Sequence, residues 1–319
     1  MILEQLSLFE DKYVLLNTGL SELVKLNLEE ARLSLQHYRD IYKENEAVDC
    51  YLKIADFLIR GFDSLPDAGP EEPAYLYNLW ISFEEYAKST GIAGEALIPE
   101  IRDSYFGMLV DSIDRCNISD LPYLSDTVPL GYVFIQARRY DRAAASLQAA
   151  LLSFPDKAAL YAYLGDAYLM RDEPDIARRC YLEACLIDPG DIDWRNIKDM
   201  KLVALRREIM ESYGMNDATA TAWLPCHACL EGLFKPKQIR LKDELKRFVD
   251  DYLELRKAYV KDPTPLIKPR LFLRAIVLCD NEAALQLIKG IDFIEIRRHM
   301  KEIDPALFAR YMKYINKRR

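Results

Sequence analysis

The chain has 319 residues, half of them hydrophobic and 29% charged, a balance that excludes a disordered chain and calls for a folded protein. Glycine is scarce, Leu, Ala, Glu and Lys abound, and no uncharged apolar run reaches about 18 residues, so the composition leans all-helical and offers no membrane-spanning helix. The net charge of -8 is uneven: Met1 to Phe234 carries 22 Lys+Arg against 39 Asp+Glu, a balance of -17, while Lys235 to Arg319 carries 21 against 12, or +9. An acidic body with a basic carboxy-terminal part implies either a polyanionic partner for the basic part or an internal electrostatic match.

In chain order, Met1 to Asp11 carries Glu4, Glu10 and Asp11 without a basic leader, so no secretory signal is expected. The seven cysteines are scattered, which fits reduced thiols packed as small hydrophobes and a cytoplasmic protein. Two or three helices are expected from Ile2 to Tyr42, with a break near Asn17 to Gly19. Gly19, Ala31, Leu35 and Tyr38 outline a degenerate helical hairpin. Tyr51, Ile54, Leu58 and Phe62 stand at helical spacing, and the proline-rich Ser64 to Pro73 is a loop. Ala74 to Lys88 is a helix whose aromatics, Tyr75, Tyr77, Trp80, Phe83 and Tyr86, read as core rather than as a ligand-stacking platform. Pro99 opens a helix reaching Arg115.

Two matched stretches follow. Tyr161, Leu164, Gly165, Tyr168, Ala177, Tyr181, Ala184 and Pro189 recur, 34 residues earlier, as Thr127, Leu130, Gly131, Phe134, Ala143, Leu147, Ala150 and Pro155. Seven of the eight keep the same kind of residue, with Leu147 standing apolar for Tyr181, and only the first position changes kind, to Thr127. Each copy reads as two apolar helices joined by a short turn, with the first helix of the earlier copy including Pro122 and with Asp141 capping its second. Glycine costs a helix about 1 kcal/mol relative to alanine, so Gly131 and Gly165 make sense where two backbones approach closely. Pro155 and Pro189 end the second helices. One such hairpin cannot bury its apolar face alone, so neighbours must stack on it.

The spacing aromatic-x2-Leu-Gly-x2-Tyr, Ala-x3-aromatic, Pro closely resembles a tetratricopeptide repeat, in two copies at about 124–157 and 158–191. The resemblance covers about a fifth of the chain and implies a helical scaffold that binds other proteins. It places the inner face of the first helices on Ser125, Val128, Tyr132, Ile135 and Gln136, and on Ala159, Ala162, Asp166, Leu169 and Met170. Repeats that hold a carboxylate terminus use Lys, Asn and Arg at such places. None of the ten is of that kind, which favours an apolar or weakly basic segment, such as an amphipathic helix. The competing reading is that this protein's own carboxy-terminal helices fill the groove.

Beyond the repeats, Asp191 or Asp193 is expected to cap a helix running to Tyr213 that closes the end of the pair, and Met215 to Ala222 is a candidate hinge. The remaining helices are expected over Ala222 to Phe234, Leu241 to Val260, Leu266 to Cys279, Glu282 to Ile288, Ile294 to Glu302 and Pro305 to the end. Cys226-His227-Ala228-Cys229 invites a metal or redox reading, but a second ligand pair, a haem-type histidine and a thioredoxin-like strand context are all missing. The structural reading, a buried helical turn, is therefore preferred. No nucleophile motif or phosphate loop appears, so no catalytic residue, metal or cofactor is expected and the chain is read as a non-enzyme. Lys235, Lys237, Arg240, Lys242, Lys246 and Arg247 could bind nucleic acid through phosphates. Asp243, Glu244, Asp250 and Asp251 dilute that patch and favour a helix face complementing the acidic body.

The reading is an all-α helical-hairpin solenoid, a right-handed superhelix, with a helical carboxy-terminal module. It divides into 1–118 with degenerate hairpins, 119–214 with the repeat pair and a capping helix, and 215–319. The expected role is a protein-binding scaffold whose partner is another protein or peptide segment. The alternative is a nucleic-acid-binding regulator.

Overall fold

Helix follows helix along the chain. A computed structural model describes residues 2–42, 46–66, 69–286, 288 and 291–318, and these form sixteen α-helices and one small antiparallel hairpin. The fold is all-α and built of helical hairpins packed on their neighbours in sequence. The chain divides into two compact units, Met1–Ser146 and Leu147–Arg319.

The first unit opens with α1 (Ile2–Val24) and α2 (Leu28–Tyr42), packed as a hairpin. The break expected near Asn17 to Gly19 is absent: α1 runs through Gly19 and ends at Val24. A Cβ at Gly19 would lie 2.8 Å from Leu35 Cγ, so the glycine is kept for close approach to α2, not for a turn. The turn is made instead by Leu26, at φ +64°.

Next come α3 (Glu46–Asp63), α4 (Glu72–Ser89) and α5 (Ile98–Arg115). Trp80 and Phe83 of α4 are buried with Tyr105 and Phe106 of α5. The Trp80 ring lies 5.1 Å from Phe83 and 5.0 Å from Tyr105, and the Tyr105 hydroxyl donates to the Leu76 carbonyl at 2.8 Å. The aromatic run thus forms core. Each such burial is worth about 1.5–3 kcal/mol.

The entry to the first repeat corrects the sequence reading. Residues 123–129 form a hairpin, β1 (Tyr123–Ser125) with β2 (Val128–Pro129), which pairs Ser125 with Val128 and leaves Asp126 and Thr127 at the turn. Proline disfavours a helical conformation in the residue before it, so no helix can pass smoothly through Val128 and Pro129. The first helix shrinks to α6 (Leu130–Gln136), entered from extended Pro129. The second helix, α7 (Tyr140–Ser153), holds Asp141 in its first turn rather than at its cap.

The second unit contains α8 (Ala158–Met170) and α9 (Pro174–Ile187), the most regular hairpin. After it, Pro189–Asp191 forms a 3-10 turn, and the next helix, α10 (Met200–Tyr213), starts later than expected. Asp199, not Asp191 or Asp193, is its cap, accepting from the Lys201 amide at 3.0 Å. The expected hinge at Met215 to Ala222 is mostly helix: Asn216 caps α11 (Asp217–Leu230) through the Thr219 amide at 2.9 Å. Then follow α12 (Lys242–Lys261), α13 (Ile267–Asp280), α14 (Glu282–Leu285), α15 (Phe293–Ile303) and α16 (Pro305–Arg318). The expected end of the short helix near Ile288 lies partly outside the described residues. One continuous core joins α9, α10, α11, α12, α13, α15 and α16.

Candidate protein-binding face of the repeats

In α8 and α9 the repeat spacing becomes geometry. A Cβ at Gly165 would lie 2.6 Å from the Tyr181 ring, so the glycine lets this buried ring of α9 press against the α8 backbone. The Tyr181 hydroxyl then reaches past Gly165 and donates to Asp166 Oδ1 at 2.5 Å. The same oxygen accepts from the Lys198 amide at 2.8 Å. Asp166 is only 2% exposed, and burial raises its pKa to about 7, against the opposing pull of the two hydrogen bonds.

The segment carrying Lys198 packs on the same hairpin. Ile192, Trp194 and Ile197 are buried in the cluster that holds Ala162, and Arg178 of α9 reaches Asp199 at 3.1 Å. Two of the second repeat's expected binding positions, Ala162 and Asp166, are therefore closed. Ala159 and Leu169 are half-buried and Met170 is 43% exposed.

In the first unit, Ile135 and Gln136 are buried, and Gln136 accepts a hydrogen bond from Arg102 of α5. Tyr132 is half-buried on α6, whereas Ser125 and Val128 sit on the hairpin instead of a helix. Of the residues expected to present one exposed face, Ser125, Val128, Tyr132, Leu169 and Met170, with Ala159, keep contact with solvent.

The two repeats also share a turn that the motif did not specify. Arg138 and Asp172, 34 residues apart, both adopt left-handed conformations, at φ +57° and +63°. Beside them the Arg139 amide donates to the Phe134 carbonyl at 2.8 Å, and the Glu173 amide to the Tyr168 carbonyl at 3.0 Å. This is the Schellman-type bond that closes a helix end.

Elsewhere, the Cys-x2-Cys turn is structural. Cys226, Cys229 and His227 are all buried on α11. Burial pushes the Cys229 thiol up to about 12 and raises Cys226 well above the ordinary thiol value, far from a reactive thiolate. Burial and the neighbouring Arg310 lower His227 to about 4, and Arg310 lies 3.1 Å from its Nδ1. Among the described residues no group of three or more His, Cys, Asp or Glu could hold a metal ion, and no helix is long and apolar enough to cross a membrane.

The basic segment turns back on the second repeat. Lys235 pairs with Asp175 at 2.9 Å and Lys237 with Glu183 at 2.9 Å, so part of the charge asymmetry is met internally. Arg270 and Arg274 of α13 donate to the last carbonyls of α9, Ile187 at 3.2 Å and Leu186 at 3.0 Å. There they offset the negative end of the helix dipole. Neither arginine stood out in the sequence, although four-residue spacing puts both on one helix face.

Residues 134–200 match the tetratricopeptide repeat family model. No curated protein and no solved structure matches the chain. The matched residues run from Phe134 through α8 and α9 to Met200 and so include the Lys198 and Asp199 connector. Over this segment, about a fifth of the chain, the protein carries tetratricopeptide-type repeat sequence.

Proposed function

We propose that this protein is a non-catalytic scaffold that holds an apolar segment of another protein against the solvent-facing part of its repeats. Tetratricopeptide repeats generally mediate protein–protein interaction and are typically not catalytic. The observation that carries the finer reading is the chemistry that keeps contact with solvent: half-buried Leu169 and exposed Met170 on α8 of the second unit and, separately, half-buried Tyr132 on α6 of the first each offer apolar surface. Asp166, the one acidic member of the expected face, is turned inward to Tyr181 and Lys198. A partner would therefore be recognised by apolar burial more than by charge. Seven free thiols, several deep in the core, support a cytoplasmic setting.

The test is affinity capture with the full chain, comparing wild type with Leu169→Asp and Tyr132→Ala singly and together. The expected result is selective loss of one set of captured proteins by folded variants, with retention for a control substitution at exposed Lys201. Equal capture by all variants would count against this face.

A further inference from the structure

Beside α9, the strap between α11 and α12 encloses a cleft of about 870 Å³. Its charged lining comprises Arg179, Lys235, Lys237, Arg240, Glu183 and Asp280. The two carboxylates are already engaged: Glu183 by Lys237 at 2.9 Å, and Asp280 by the Gln238 amide at 2.8 Å. Lys237 is shared with Glu244 at 3.1 Å, and Lys235 is held by Asp175 in a largely exposed pair that is worth little in water. Arg179 and Arg240 are exposed and form no close ion pair or hydrogen bond among the described residues; Arg179 lies near enough to Asp175 to help lower that carboxyl's pKa, but Asp175 is already paired with Lys235. The cleft thus has two guanidinium groups to spare, each shaped to grip a carboxylate through two parallel N–H donors.

The rest of the wall selects among anions. Leu182 and Pro236 are buried and form only the closed apolar floor of the cleft, so its recognition rests on the charged groups at its rim. Glu183 and Asp280 interrupt the positive field. A nucleic-acid strand, with a charge on every phosphate, would meet them at close range, whereas a peptide can place its carboxylates selectively.

We propose that this cleft is a second binding site, taking a short acidic peptide segment that sets carboxylates on Arg179 and Arg240. The site lies within the second unit and does not depend on the apolar repeat face. Its physical signature is an affinity that falls as salt rises, because the attraction is between partly exposed charges.

Fluorescence polarisation of the full chain with a labelled glutamate decamer tests it, with a labelled thymidine oligonucleotide of equal length in parallel. Saturable, salt-sensitive decamer binding is expected, with the oligonucleotide at least about tenfold weaker, a difference of ~1.4 kcal/mol. Arg179→Glu with Arg240→Glu should weaken decamer binding by about tenfold or more. Both residues are exposed, and Arg179→Gln with Arg240→Gln, expected to weaken it less, serves if the reversal disturbs folding. Absence of decamer binding at low salt, unchanged affinity in both double variants, or equal or tighter oligonucleotide binding would each overturn the proposal.

Discussion

At the scale of single residues, Gly165 and Asp166 show how one sequence position dictates the next. A methyl group at Gly165 would press on the Tyr181 ring at 2.6 Å, and that ring is buried and held by a hydrogen bond. Gly165→Ala is expected to destabilise the protein by about 1–3 kcal/mol through overpacking, read as a lower denaturant midpoint at unchanged slope. Asp166 makes a pH-dependent counterpart. Its pKa is raised from 3.8 to about 7 by burial, so between those values the folded chain holds a proton that the unfolded chain has released. Stability from this group therefore falls as pH rises through that window. Asp166→Asn keeps an acceptor for Tyr181 and Lys198 and removes the titration. The variant should gain on wild type between about pH 4 and pH 7, by an amount on the order of a few kcal/mol, in parallel thermal or chemical melts.

At the scale of elements, the decisive features are how helices end. Among the described residues, the non-glycine residues Leu26, Asn117, Arg138 and Asp172 take left-handed conformations at helix termini, positions that most chains give to glycine. Composition hid these turns, because a scarcity of glycine looks like a scarcity of helix ends. Asp172→Val should cost about 1–2 kcal/mol, since a β-branched side chain fits this backbone poorly, while Asp172→Gly should not destabilise. Comparing the two midpoints checks the assignment. The C-terminus of α9 is ended differently, by Arg270 and Arg274 reaching the Ile187 and Leu186 carbonyls. Arg274→Leu is expected to lower stability by about 1–3 kcal/mol, as it leaves a largely buried carbonyl without its donor. Earlier hydrogen exchange in the last turn of α9 would be the local readout.

At the scale of the whole molecule, the charge imbalance acquires a partial explanation. Lys235 and Lys237 meet Asp175 and Glu183 within the second unit, so part of the basic carboxy-terminal charge is spent on the chain's own repeat. Arg179 and Arg240 are left to meet an external anion. The two proposed surfaces of the second unit are chemically distinct, one apolar at Leu169 and Met170 of α8 and one cationic beside α9. Raising salt should weaken glutamate-decamer binding while leaving capture through Leu169 and Tyr132 nearly unchanged, since apolar burial is not screened. Parallel salt titrations of the two readouts would separate them.

The sequence by itself determined the helical class, the hairpin of α8 and α9 and the core role of Trp80, Phe83, Cys226 and Cys229. Those follow from periodicity and from which side chains water rejects, and both are local properties. It also marked Gly165 as a position of close approach, although what approaches is the Tyr181 ring of α9 and not a second backbone. What it could not carry was which face stays open. Ala162 and Asp166 stand at positions the resemblance assigns to binding, yet Asp166 is closed by the Lys198 amide of the segment that follows α9, and Ala162 is buried in the core that also holds Ile192, Trp194 and Ile197. Ser125 and Val128 left the helix because Pro129 forbade it. Burial depends on what a distant segment does after the helix has formed, so only the tertiary structure could decide it.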